Sequence, residues 1–163
     1  TRCKKWRRTG VIWWNMIDGW PQFSDAVVSY DFGKKLAYYY IKRSQQPICL
    51  MISEPENWHV KLMVGNDTLS TKHGTYRVWD GDTNETLSEG NFTAYANATT
   101  EVDRIRISHG DQRLMLIEWT IGGIRSVNRY VLGMPPFSFE RYKTWLKKIA
   151  DLDGSFNAEQ VGK

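Results

Sequence analysis

Two runs of strand-forming residues, Arg113 to Ile121 and Ile124 to Leu132, meet at the pair Gly122-Gly123. A Gly-Gly pair between two such runs specifies a tight hairpin, because glycine adopts the positive φ that both central positions of the turn require. The chain is thereby committed to antiparallel pairing, and the preceding residues extend the pattern. Trp58, Val60, Leu62 and Val64 alternate with His59, Lys61 and Met63. Such alternation gives a strand with one core face and one mixed face. Thr75 to Asp80, Asn91 to Ala96 and Val102 to Ile107 read as further short strands. Ile105 and Ile107 point one way, Arg104 and Arg106 the other. About seven short strands with turn signals between them predict a two-sheet antiparallel β-sandwich. The β-rich region runs from Pro47 to Gly133.

The flanks differ from this middle. Up to about Gln46 the chain carries the near-continuous apolar stretch Val11-Ile12-Trp13-Trp14, with Met16 and Ile17 just beyond. A stretch without alternation suggests a strand buried on both faces, as in a parallel sheet. A loop from Asp18 to Asp25 follows, then a helical segment from about Lys34 to Ser44. Leu36, Tyr39, Tyr40 and Arg43 share one face of it at helical spacing. After the sandwich, Pro135-Pro136 stops the last strand and Ser138 can cap a helix. Phe139, Tyr142, Trp145, Leu146 and Ile149 then form an apolar stripe. The expected divisions are 1–46, 47–150 and a frayed tail, 151–163.

Composition narrows the function classes. With 163 residues the chain has room for one domain with a real core. Its net charge is only +4, and the basic residues are scattered except at the start. Arg2, Lys4, Lys5, Arg7 and Arg8 surround Trp6 there, and the expectation is a solvated helix end rather than a nucleic-acid arm. Cys3 and Cys49 make no metal, redox or disulfide signature. No apolar stretch approaches the roughly 20 residues of a membrane span. The chain opens without Met and in mid-element, so it reads as a segment of a longer protein whose localisation stays open.

Several local patterns lead to no site. Asp80-Gly81-Asp82-Thr83-Asn84 starts like a calcium loop, but Glu85 stands where Gly is needed and Asn91 where Glu is needed. A polar hairpin loop is the expectation. His59, His73 and His109 lie on different elements and suggest no zinc site. Sequons begin at Asn66, Asn84, Asn91 and Asn97 and matter only in a protein secreted from a eukaryote. A carbohydrate-binding module would need exposed, coplanar aromatics on a strand face. Trp79, Tyr76 and Tyr95 are its candidates, and core packing is the competing assignment.

The stretch Gly10-Val11-Ile12-Trp13-Trp14-Asn15-Met16-Ile17-Asp18-Gly19-Trp20-Pro21 resembles the last barrel strand and following loop of family 2 glycoside hydrolases, especially the β-mannosidase and exo-glucosaminidase branch. The helix Lys35-Leu36-Ala37-Tyr38-Tyr39-Tyr40-Ile41-Lys42-Arg43 is similar to the one that follows in that family. Val64-Gly65-Asn66-Asp67 resembles the Asn-Asp turn of the family's immunoglobulin-like domain. Asn128-Arg129-Tyr130 and the Pro-Pro-Phe before the last helix fit that domain's end. The sequence departs from its relatives at Ser29-Tyr30-Asp31, where they carry Asp-Tyr-Tyr, and at Ile17, where they often carry Asn.

The resemblance implies a fold. It would be mainly β, an immunoglobulin-like sandwich preceded by a remnant strand and helix of a (β/α)8 barrel and followed by a helix. It also implies a retaining mechanism using two glutamates about 5–5.5 Å apart. Those lie on earlier barrel strands, so no catalytic residue, metal or cofactor is expected here. Asp18, Asp25 and Glu118 are the carboxylates to weigh against that expectation. By the same resemblance Trp14, Asp18, Trp20 and Ser24 bind the carbohydrate substrate in the parent enzyme, at the end of a barrel where active sites lie. Trp13 is expected in the core. The partners implied are that substrate and a preceding barrel domain, with neither nucleic acid nor membrane. Without its barrel, the segment 11–17 is expected to dock on its own sandwich or to pair with a second copy.

Overall fold

The structure is a computed structural model describing residues 2–4, 7, 10–22 and 24–153. Lys5, Trp6, Arg8 and the tail after Asp153 lie outside the described residues. Helix α1 is Leu36–Ser44, and seven strands follow: β1 Ile48–Ile52, β2 His59–Asn66, β3 Lys72–Asp80, β4 Thr86–Ala94, β5 Ala98–Arg106, β6 Arg113–Ile121 and β7 Ile124–Leu132. Helix α2, Phe139–Asp153, runs three residues past the expected boundary at 150.

The strands form two antiparallel sheets, β1-β2-β5 and β4-β3-β6-β7. This is an immunoglobulin-like sandwich in which the fourth strand joins the sheet of the third, sixth and seventh. Gly122 and Gly123 have φ of 57° and 81°, and the β6–β7 hairpin closes on them as expected. Val60, Leu62 and Val64 from one sheet meet Val78, Met115, Ile117 and Trp119 from the other in the main core. Gly74 marks a close approach of backbones. A Cβ there would stand 2.4 Å from the Thr120 carbonyl oxygen of the neighbouring strand.

Side chains also tie the two sheets together. The Asn66 amide at the end of β2 donates to the Ala94 carbonyl at the end of β4, 2.9 Å, and to Ser70 O, 2.9 Å. Asn128 of β7 donates to Leu50 O of β1, 2.8 Å. Asp103 of β5 accepts from the hydroxyls of Tyr76 and Ser88. Each bond satisfies a polar group at the margin of the core that would otherwise be costly to bury.

The four-stranded sheet is covered on its outer face as well. Leu114, Leu116 and Val127 pack there against Trp145, Ile149 and Leu152 of α2, with Tyr39 and Tyr40 of α1 beside them. The inward stripe of α2 therefore differs from the expected one: Phe139, Tyr142 and Leu146 are exposed. Ser138 caps the helix, its Oγ accepting from the Arg141 amide at 3.4 Å. Leu36 is exposed, whereas Arg43 is buried.

Two further expectations are corrected. Trp58 is not on the core face of β2. It sits in the preceding turn with φ of 62°, exposed, so the alternation begins at Val60. Arg2 is not a solvated terminal charge. Its guanidinium donates to Ser44 O at 2.7 Å and Gln46 O at 2.8 Å, and it pairs with Asp67 at 2.9 Å. Carbonyls left open at the end of a helix are natural partners for a cation.

Candidate functional site

The segment 10–35 holds every residue assigned to substrate by resemblance. It is not a strand: its only ladder contacts among the described residues are isolated bridges, Ile17 to Val28 and Val28 to Lys34. Nor are its residues 11–17 buried against the sandwich. Val11, Ile12, Met16 and Ile17 are exposed, and so are Trp13 and Trp14, the latter to 83%. The physical reason is that a strand apolar on both faces needs neighbours along both edges, and among the described residues only the Ile17–Val28 bridge and its flanking hydrogen bonds pair with it. Trp13 is thus outside the core, contrary to expectation. Trp20 is 63% exposed, and Tyr30 and Phe32 extend the aromatic surface.

Under this surface lies a small ordered centre. Asp18 N–H donates to Val28 O, and Val28 N–H donates to Met16 O, each at 3.0 Å. Ala26, Val27 and Val28 are buried around these bonds. The Asp18 side chain turns inward and is 3% exposed. Its Oδ2 lies 2.8 Å from Lys35 Nζ, and its Oδ1 accepts from the Ser24 hydroxyl. Ser24 Oγ in turn accepts from Ala26 N–H at 3.0 Å, and Lys35 Nζ also reaches Ser24 O at 3.2 Å. Lys35 is fixed by its position just before α1 and by its own N–H to Val27 O, 3.0 Å. The Lys35 ammonium, then the Ser24 hydroxyl, hold the Asp18 carboxyl below its ordinary range, outweighing the opposing effect of burial.

This arrangement brings Asp18 and Ser24 together, and it adds Lys35, which no local sequence signal marks. A carboxylate held ionised cannot donate a proton near neutral pH. The Asp18–Lys35–Ser24 cluster is therefore a clamp that shapes the loop carrying Trp20. Glu118 is committed to Arg125, 2.7 Å away. Asp31, Glu56 and Asp103 are, like Asp18, lowered from the usual carboxylate range, the opposite of what a general acid needs. Burial pushes the Cys49 thiol up to about 11, so it is not a thiolate nucleophile.

The other candidate patterns resolve into structure. Asp80 Oδ1 accepts from the Asp82 and Thr83 amides at 2.7 and 3.1 Å, and Asp82 accepts from Arg141 and Trp145. These carboxylates are occupied by protein donors in a hairpin loop. Among the described residues no three His, Cys, Asp or Glu side chains converge on a metal position. No helix among them is long and apolar enough to cross a membrane. Tyr76 is buried, Trp79 is half-buried beside α2 under Arg77, and Tyr95 is exposed. These three do not form a coplanar sugar-binding platform.

No protein-family model matches the chain, and no curated protein sequence does. Solved structures do. One similar structure is the β-D-mannosidase of Dictyoglomus thermophilum, with a TM-score of 0.62 and 22% identity. The likeness is one of fold. It covers 74% of this chain but 16% of the mannosidase, so the chain spans a small part of that enzyme's length. A DUF3244-family protein of immunoglobulin-like β-sandwich fold from Bacteroides vulgatus is also similar, at 13% identity and a TM-score of 0.37. It covers 55% of this chain and 86% of its own, a likeness too low in score to bear on the fold.

Proposed function

We propose that this chain is the C-terminal accessory sandwich of a retaining β-glycosidase of family 2, and that the segment 1–46 completes a preceding (β/α)8 barrel. The observation that carries the reading is a juxtaposition. A Trp-rich segment left exposed among the described residues leads directly into a sandwich whose fold resembles part of a β-D-mannosidase. Exposed aromatics on that scale are a surface awaiting a partner.

In the assembled enzyme the two glutamates of the retaining mechanism belong to the preceding barrel. Trp14 lies against the C–H face of the sugar, where an aromatic ring suits both apolar contact and developing positive charge. Trp20 contributes a wall, and the Asp18–Lys35–Ser24 clamp positions it.

The test is hydrolysis of a panel of nitrophenyl β-glycosides by this chain beside the longer protein encoded by the same gene. Turnover is expected from the longer protein alone. In it, Trp14→Ala should lower kcat/KM about tenfold or more, as expected when a contact worth about 1.4 kcal/mol or more is removed. Turnover by this chain alone would overturn the proposal, as would an inactive longer protein.

A further inference from the structure

A cleft of about 750 Å³ opens at one end of the sandwich, between the β1–β2 connection, the β5–β6 connection and the segment leaving β7. Glu54, Trp58, His109, Asp111, Tyr130 and Met134 are among its lining residues. The volume falls within the range of about 300–1,000 Å³ usual for small-molecule sites. It is built from other elements than the Trp14–Trp20 segment.

Trp58 is the unusual residue. The turn Glu56-Asn57-Trp58-His59 is closed by Glu56 N–H to His59 O at 2.8 Å and His59 N–H to Glu56 O at 3.0 Å. Its central residues have φ of 50° and 62°, the pattern that favours Asn then Gly. Asn57 obeys the rule and Trp58 does not. A tryptophan in the place of glycine bears backbone strain, and here its ring remains 60% exposed. Core packing therefore does not explain it. The ring stands edge-on to His109, with centroids 6.2 Å apart at 68°.

Polar groups surround this apolar plate. Asp111 is fixed in its loop by accepting from Ser108 N–H at 2.7 Å. Burial, and next the Glu54 charge, push the Tyr130 phenol up, so it stays an O–H donor. Glu56 is neutralised by Lys61 at 3.0 Å, and Arg113 stands 3.9 Å from Asp111. With Glu54 added, the cleft holds carboxylate acceptors and no surplus of cations, which disfavours a phosphate or other anion. An aromatic face flanked by carboxylates fits a ring that is apolar on its face and hydroxylated on its edge. We propose that this cleft binds a neutral carbohydrate, with Trp58 stacking on the sugar and Glu54 and Asp111 accepting from its hydroxyls.

The proposal does not depend on the glycosidase reading, and its test involves no hydrolysis. The chain is titrated calorimetrically with the β-1,4-linked hexasaccharides of mannose, glucose, xylose and N-acetylglucosamine. Saturable binding of at least one is expected, unchanged between low salt and about 0.5 M salt, because no charge pairing drives it. Trp58→Gly places the residue favoured at that φ, so the melting temperature should hold or rise while affinity falls about tenfold or more. Phe139→Ala, which removes an exposed aromatic of α2 outside the cleft, should bind like the parent chain. No saturable binding by any of the four sugars would overturn the proposal, and so would full affinity in Trp58→Gly. Loss in Phe139→Ala instead would move the site to the exposed face of α2 and refute the proposal. Salt-sensitive binding of a lysine-rich peptide without sugar binding would make the cleft a peptide site; either outcome refutes the proposal.

Discussion

Trp145→Ala should be among the most damaging single substitutions in this chain. The indole is fully buried between α2 and the outer face of the four-stranded sheet. It touches Phe137 edge-on at 6.0 Å and lies under the Arg141 guanidinium, 4.8 Å from the ring centroid. Its Nε1–H donates to Asp82 Oδ1 at 2.7 Å. Truncation removes the transfer energy of the ring and leaves a cavity beneath the helix, together about 3–5 kcal/mol. The hydrogen bond is the smaller part, because Asp82 keeps its bonds to Arg141 and is partly open to water. Trp145→Phe, which keeps most of the ring, should therefore cost only about 1–2 kcal/mol. For a chain of this length the Ala variant corresponds to a drop of about 10 °C in Tm. Urea and thermal unfolding of both variants measure this. A fall of less than about 2 °C for Ala, or equal losses for Ala and Phe, would refute the packing argument.

Two other effects follow from contacts elsewhere in the chain. Gly74→Ala forces a Cβ toward the Thr120 carbonyl, 2.4 Å away, so the β3–β6 ladder must shift; a loss of about 1–3 kcal/mol in urea unfolding is expected. Because the Asp18 carboxyl is lowered in the folded chain, its contribution to stability is full above the ordinary carboxylate pKa of about 4 and is lost as pH falls through the depressed folded value. Limited proteolysis of the 18–25 loop against pH should show this acid-side loosening, and Asp18→Asn should abolish the pH dependence.

Legibility in the sequence tracked how locally each feature is determined. The β6–β7 hairpin could be read to the residue because two glycines fix its turn and both strands run directly out of it. Strand β1 carried a usable sign, the unbroken apolar run Ile48–Ile52 after Pro47, but no alternation to mark it. Trp58 continues the alternation in the sequence but lies one residue before the strand, in a turn that Asn57 already announces. The stripe of α2 was shifted because helical spacing leaves open which of two adjoining apolar faces meets the sheet; Leu152, not Phe139, completes the buried face. The Asp18–Lys35 contact joins a loop to the approach of a helix, and no short-range pattern encodes it. The unbroken apolar run 11–17 points to a buried strand, but among the described residues it meets only the isolated Ile17–Val28 bridge, short of the two edges such a strand needs.

The proposed role rests on residues 10–22 forming a face covered by a preceding domain, and amide hydrogen exchange compares that directly in this chain and in the longer protein. Peptides covering Val11 to Trp20 should exchange rapidly here and become strongly protected in the longer protein, while the strands of the sandwich keep the same protection in both. Equally rapid exchange of that segment in both proteins would contradict the account.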